Sequence, residues 1–190
     1  MGDKIYAFGG FAAQNRDPVA DANVYDPIAD RWTPLPPLAH ALGSIAVTPL
    51  AGKLHLVGGR DVHSVGTHLV FDPETNKYTA AATLPVGRDH LGLVAYDGKL
   101  YAIAGRIDDF NHNASYVDIY DPKTDRWAAG AAMPSQRSGM AVAPLPRPHP
   151  RDRRRARRRN LHQQRSVRPA HEPLGNPSSA PRRTTRHRPP

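Results

Sequence analysis

The chain has 190 residues, a formal net charge of +9 and no cysteine, which excludes disulfide frameworks, thiolate metal sites and cysteine catalysis. No apolar run is long enough to span a bilayer, and the N-terminal MGDKIYAFGG lacks the basic-then-apolar layout of a signal peptide; a cytoplasmic location is the default expectation. The charge is segregated: residues 1–146 hold 12 Lys and Arg against 15 Asp and Glu, whereas 147–190 hold 14 Arg with only Asp152 and Glu172.

Taken in chain order, the first part repeats itself. A strand-like run ending in small residues occurs three times, as KIYAFGG (4–10), KLHLVGG (53–59) and KLYAIAG (99–105). Each run is followed by an aromatic-Asp-Pro triplet, in NVYDPIADRW (23–32), LVFDPETNKY (69–78) and DIYDPKTDRW (118–127). The triplets begin at Tyr25, Phe71 and Tyr120, spaced 46 and 49, and each is answered seven positions later by Trp32, Tyr78 or Trp127. A fixed period of this size is the signature of a repeat architecture.

Each piece has a physical role. Period-two alternation in KLHLV and KLYAI predicts strands with one face towards a core. Asp-Pro starts a tight turn, the Asp accepting a local hydrogen bond and the Pro presetting φ. Asp97-Gly98 predicts a two-residue hairpin between two further strands, which gives four short strands per repeat. The paired glycines suit a positive φ or a close backbone approach at a strand end. The fixed place of Trp32, Tyr78 and Trp127 assigns them to packing between repeats rather than to stacking on a sugar.

The glycine doublet after an apolar strand, the variable loop, Tyr-Asp-Pro and the downstream Trp together resemble the Kelch repeat. The resemblance covers residues 1 to about 145. Ala104 departs from the doublet in the third copy, and Phe71 and Tyr78 replace Tyr and Trp in the second. It implies an all-β fold, a fragment of a β-propeller with about three four-stranded blades. The expected divisions are a partial blade at 1–38, blades at 39–85 and 86–134, and the start of another at 135–145. Three partial blades leave an open edge, because repeats need neighbours to bury their faces; marginal stability, or oligomerisation that completes the propeller, is the expectation.

Residues 146–190 have no Phe, Tyr or Trp and are expected to form a disordered, basic tail. SGMAVAPL at 138–145 begins a further repeat, after which the chain turns to arginine. Permitted codons for 160–176, read one base later, give TFTNNEAYDPHTNRWE, and the same shift over 147–160 allows GHIHVIGGELDGGT. The tail therefore reads as a frameshifted fourth blade. Its arginines would still give salt-dependent, sequence-independent binding to polyanions such as RNA, although it carries neither lysine nor stacking aromatics.

The resemblance places function on loops joining the second to the third strand of a blade (11–22, 60–67, 106–115) and the fourth to the first strand of the next (36–43, 85–90, 134–139). These hold Asn15, Arg16, Arg60, Asp61, His63, Arg88, Asp89, His90, Arg106, Asp108, Asp109, Asn111, His112 and Arg137. Rigid strands presenting polar loops make a binding face. Arg88 and Arg137 occupy matching places and suit a carboxylate or phosphate, or else pair with carboxylates of a neighbouring blade. The histidines lack ligand spacing, and Asp108-Asp109 with Asn111 lacks the order of a calcium loop; neither metal nor cofactor is expected.

A non-catalytic module that binds a protein or glycan follows from the resemblance. The alternative is a propeller enzyme acting on sugars, of the sialic acid mutarotase type. A copper oxidase of the galactose type is disfavoured, since its Tyr-Cys cross-link needs a cysteine. Glu74 is the one glutamate of the first part, and it falls in a turn. Nucleic-acid binding by the tail is a third possibility.

Overall fold

The computed structural model describes residues 3–13 and 16–145. The expected basic tail and its hidden repeat, like Asn15, lie outside the described residues. Within them there are strands and turns but no helix, hence none long and apolar enough to cross a membrane.

Three sheets are built from one recurring plan. The first comprises β1 (Ile5–Phe8), β4 (Ala22–Asp26) and β5 (Arg31–Leu35), in the order β1-β4-β5. The ribbon of β2 (Phe11–Ala13) and β3 (Arg16–Pro18) is inserted between β1 and β4. The second sheet runs in sequence order through β6 (Ala46–Leu50), β7 (Lys53–Val57), β8 (His68–Asp72) and β9 (Lys77–Ala80). The third repeats it with β10 (Gly92–Tyr96), β11 (Lys99–Arg106), β12 (Asn113–Asp121) and β13 (Arg126–Ala129). Every pairing is antiparallel. These three sheets have the form of the four-stranded blades expected from the sequence, the first represented by three strands.

The seven-residue spacing is the arithmetic of a hairpin. Tyr25 faces Trp32, Phe71 faces Tyr78 and Tyr120 faces Trp127 across adjacent strands, with ring centroids 5.1, 4.9 and 5.1 Å apart. Aromatic pairs at this separation stabilise neighbouring strands beyond the area they bury. Within each turn the Asp carboxylate accepts backbone N–H groups, Asp26 from Ile28 and Ala29, Asp72 from Glu74 and Asp121 from Lys123. Asp30, Asn76 and Asp125 close the turns at positive φ, a conformation that Asp and Asn tolerate best after glycine. Asp26, Asp72 and Asp121 also pair with the lysine at the head of the second strand of each blade: Lys4–Asp26 at 2.9 Å, Lys53–Asp72 at 3.0 Å and Lys99–Asp121 at 3.0 Å. The lysine holds each carboxyl below the usual range, helped by the turn N–H groups. Such exposed pairs fix register more than they stabilise. Asp97 and Gly98 form the two-residue turn between Tyr96 and Lys99, both at positive φ.

Apolar side chains gather between sheets rather than within one. One cluster joins Phe8, Ala22, Leu38 and Leu42 to Leu54, Leu56 and Phe71; a second joins Val57 to Leu84, Leu91, Leu93, Leu100, Ala102 and Tyr120. Alternation in KLHLV predicts burial of one face only, yet β7 is buried from Leu54 through Val57, because the second blade has a neighbour on each side. His55, expected to point outward, lies with His68 in the seam with the third blade. Its Nδ1 donates to His68 Nε2 at 3.0 Å, and His68 Nδ1 donates to the Ala82 carbonyl at 3.0 Å.

The inter-blade role of the aromatics holds for two of the three. Tyr78 Oη donates to the Pro36 carbonyl (2.8 Å) and Trp127 Nε1 to the Ala82 carbonyl (2.7 Å). Trp32 is 52% exposed, because no blade precedes the first among the described residues.

Candidate binding surface on the inter-strand loops

The loops that follow β7 and β11 are tied into one unit. Ser64 N–H donates to Asp108 Oδ1 (2.7 Å), and Asp108 N–H donates back to Ser64 Oγ (2.8 Å). Arg60 Nη1 donates to the Asp108 carbonyl at 2.5 Å, and His63 Nδ1 lies 3.6 Å from Asp108 Oδ1. Asp108 sits at positive φ, and the Ser64 N–H holds its carboxyl below the usual range, with His63 and Arg60 adding to the effect. Asp61 accepts the His63 N–H within its own turn.

Beneath these loops lies a polar cluster. Asp89, fully buried, accepts from Ser64 Oγ (2.6 Å) and Arg106 Nε (3.2 Å) and contacts His90 Nδ1. Arg106 Nη2 approaches the same His90 Nδ1 at 2.8 Å, and His90 Nε2 lies 3.1 Å from Ser44 Oγ. The backbones of Asp89 and Arg106 exchange two hydrogen bonds, of 2.9 and 2.8 Å. Arg106 is capped on its outer side by the ring of Phe110, 4.3 Å from Cζ, an arrangement that favours cation and ring alike. Phe110 is 65% exposed and Val62, on the partner loop, 75%.

Of the residues singled out from sequence, Arg60, Asp61, His63, Asp89, His90, Arg106 and Asp108 come together here. Arg88 does not. Its side chain is fully buried in the third blade, donating to the carbonyls of Ala104 (2.8 Å) and Val86 (3.2 Å) and to Asp118 Oδ2 (2.8 Å), so its donors are committed inside the fold and it is withdrawn from any ligand. Asp109 accepts the N–H groups of Asn111 and His112 and shapes the tip of its loop. Arg16 stands exposed on the β2–β3 ribbon, and exposed Arg137 donates to Ser135 Oγ. Sequence reasoning missed Ser44, Ser64 and Phe110. Alignment of the repeats could have found the first, since Ser44 precedes β6 by the interval at which His90 precedes β10.

The chain Ser44–His90–Asp89 has the outline of a nucleophile, a base and its orienter. Asp89, however, is shared with Arg106 and Ser64, and Arg106 competes for the imidazole nitrogen that the carboxylate would hold. Among the described residues, no three His, Asp or Glu side chains converge as metal ligands.

Comparison with known proteins accords with this architecture. The Kelch motif profile matches residues 1–39 and 87–134. Kelch-like protein 35 of Mus musculus is 32% identical over 149 residues, covering 76% of this chain and 25% of its own length. Kelch-like protein terF of Aspergillus terreus is 31% identical over 158 residues, covering 74% of this chain and 34% of its own. Beta-scruin of Limulus polyphemus is 32% identical over 126 residues, 62% and 14% respectively. The solved structure of YjhT superposes with a TM-score of 0.59 at 15% identity, over 70% of this chain and 50% of that one. The fold is thus that of Kelch-type β-propeller blades. The chain is a Kelch-repeat protein, and it spans between 14% and 34% of the length of the curated relatives it matches.

Proposed function

We infer that this chain is a non-catalytic binding module whose ligand is a protein segment, held on the loops of the second and third blades. The observation that carries this reading is the cross-blade lock between Ser64 and Asp108, which ties the loop carrying Arg60 and exposed Val62 to the loop carrying exposed Phe110. An exposed ring stacked on a guanidinium, as Phe110 is on Arg106, is the composition of an interface anchor. With Asp89 and Arg106 buried, the surface itself presents Arg60 against Asp61 and Asp108, a mixed and slightly acidic set that suits a peptide better than a polyanion. The names of the relatives are compatible with this reading and do not specify the partner.

The test is selection of a random peptide display library on the immobilised full-length chain. Recovered peptides should bind at least about tenfold more weakly to Phe110→Ala and Arg60→Ala. Recovery of ligands indifferent to both substitutions, or of glycans alone on a parallel array, would overturn the reading. A second reading, isomerisation of a sugar, draws on the Ser44–His90–Asp89 arrangement; acceleration of anomer exchange in free sialic acid, abolished by His90→Ala, would establish it.

A further inference from the structure

The hairpin of the third blade grips the second blade at a single residue. Asp125 Oδ1 accepts the Ala82 N–H (2.8 Å), and Trp127 Nε1 donates to the Ala82 carbonyl (2.7 Å), while Tyr120 Oη steadies Asp125 at 2.8 Å. The second blade grips the first less fully. There Tyr78 donates to the carbonyl of Pro36, which has no N–H to offer, and Asn76 stands where Asp125 does. In the first blade the full set returns. Asp30, Trp32 and Tyr25 occupy the places of Asp125, Trp127 and Tyr120, and Tyr25 Oη already donates to Asp30 at 2.5 Å. Nothing among the described residues fills this grip.

What it would hold is present on the same chain. Ala131 follows Trp127 by the four positions at which Ala82 follows Tyr78 and Pro36 follows Trp32. It is exposed, and neither its N–H nor its carbonyl is bonded among the described residues.

A second pair of matching features lies beside the first. In the second and third blades the strand carrying the glycine pair is covered on its inner edge by β6 or β10, but in the first blade no strand among the described residues pairs with the corresponding edge of β1. Residues 141–145 read AVAPL against AVTPL of β6, and Val142 packs at Gly92 of β10. Transfer of the β6–β7 register places Ala141 opposite Phe8, Val142 opposite Ala7 and Leu145 opposite Lys4. An open edge with a matching strand is a template for strand addition. The outer face of the third blade also presents an apolar cleft of about 400 Å³, lined by Val94, Tyr96, Tyr101 and Ile103 together with residues 143–145.

We propose that two copies of this chain join head to tail, residues 141–145 of each completing the first blade of the other, with Asp30 and Trp32 gripping the partner copy's backbone at position 131. Both halves of each contact reside on one sequence, which identifies the occupant as a second copy. Two copies make the smallest closed ring of such contacts, and the part of this chain that superposes on YjhT covers half of that chain. The contact is heterologous and closes only if the rotation per chain is half a turn.

The test uses full-length chains, which lack native cysteine. Chains with Ala7→Cys alone and Val142→Cys alone, mixed and oxidised, should form a disulfide-linked pair. Leu93→Cys/Ala102→Cys within one chain is the geometric control, since those residues face each other in the same register. Sedimentation of the unmodified chain should give a dimer. Trp32→Ala and Ala131→Pro should each weaken association by about tenfold or more; proline is accommodated at position 131 because Pro36 occupies the same place in the first blade. A monomer at all concentrations, open-ended oligomers, or cross-linking in the control but not in the mixture would overturn the proposal.

Discussion

Arg88 and Asp118 meet at 2.8 Å inside the third blade, at the positions that Leu42 and Leu69 fill in the second. One architecture thus accepts an ion pair or an apolar pair at the same place. A buried charge left alone costs far more than the pair is worth against hydrophobic substitutes. Arg88→Leu or Asp118→Leu alone should lower unfolding free energy by about 3–5 kcal/mol, whereas the double substitution should restore most of it. Urea titration of the cycle decides; additive losses would refute the equivalence.

The His55–His68 pair makes stability depend on pH. Burial drives the His55 imidazole down to about 4, with His68 and Lys53 adding to it. Burial also lowers His68, partly offset by the Ala82 carbonyl and Asp125. Both rings are neutral in the fold, while the unfolded chain takes up their protons below about 6.5. Their contribution is therefore complete above that value and is lost as pH falls towards 4. The midpoint of thermal unfolding should decline across this window. His55→Tyr/His68→Val, which installs the residues found at the matching positions 101 and 117, should flatten the decline.

Gly58 and Ala104 share a place in the repeat and a positive φ, of 71° and 53°. A Cβ on Gly58 would stand 2.3 Å from the Arg88 carbonyl oxygen. Gly58→Ala should cost about 2 kcal/mol or more, through both the clash and the backbone. Ala104→Gly should gain about 0.5–1 kcal/mol by relieving the left-handed conformation. Paired thermal melts with the opposite signs would contradict this.

Trp127 supplies a ring and a donor to the seam. Trp127→Phe keeps most of the packing and leaves the Ala82 carbonyl with His68 Nδ1 alone. The expected loss is about 1 kcal/mol. A loss matching that of Trp127→Ala would show that the donor, rather than the ring, holds the blades together.

The repeat was legible because its devices are local. Asp-Pro turns, the Asp97-Gly98 hairpin and the seven-residue aromatic spacing are set by backbone geometry that a few residues dictate. What depends on neighbouring blades was not legible in the same way. Arg88 sits in a loop by sequence, yet its side chain is buried against Asp118, 30 positions away in the same blade. KLHLV alternates, yet both its faces are covered. Ser64 has no pattern of its own; its importance comes from Asp108, 44 positions away, which only the fold brings near.

The reciprocal bonds between Ser64 and Asp108 also make the two loops a single kinetic element. Each backbone N–H is held by the side chain of the other residue, so neither loop can lift without releasing its neighbour. Amide hydrogens at both positions should exchange with solvent at a common rate, set by one opening event rather than two. A ligand arriving at this surface would then meet loops whose freedom was already surrendered when the chain folded.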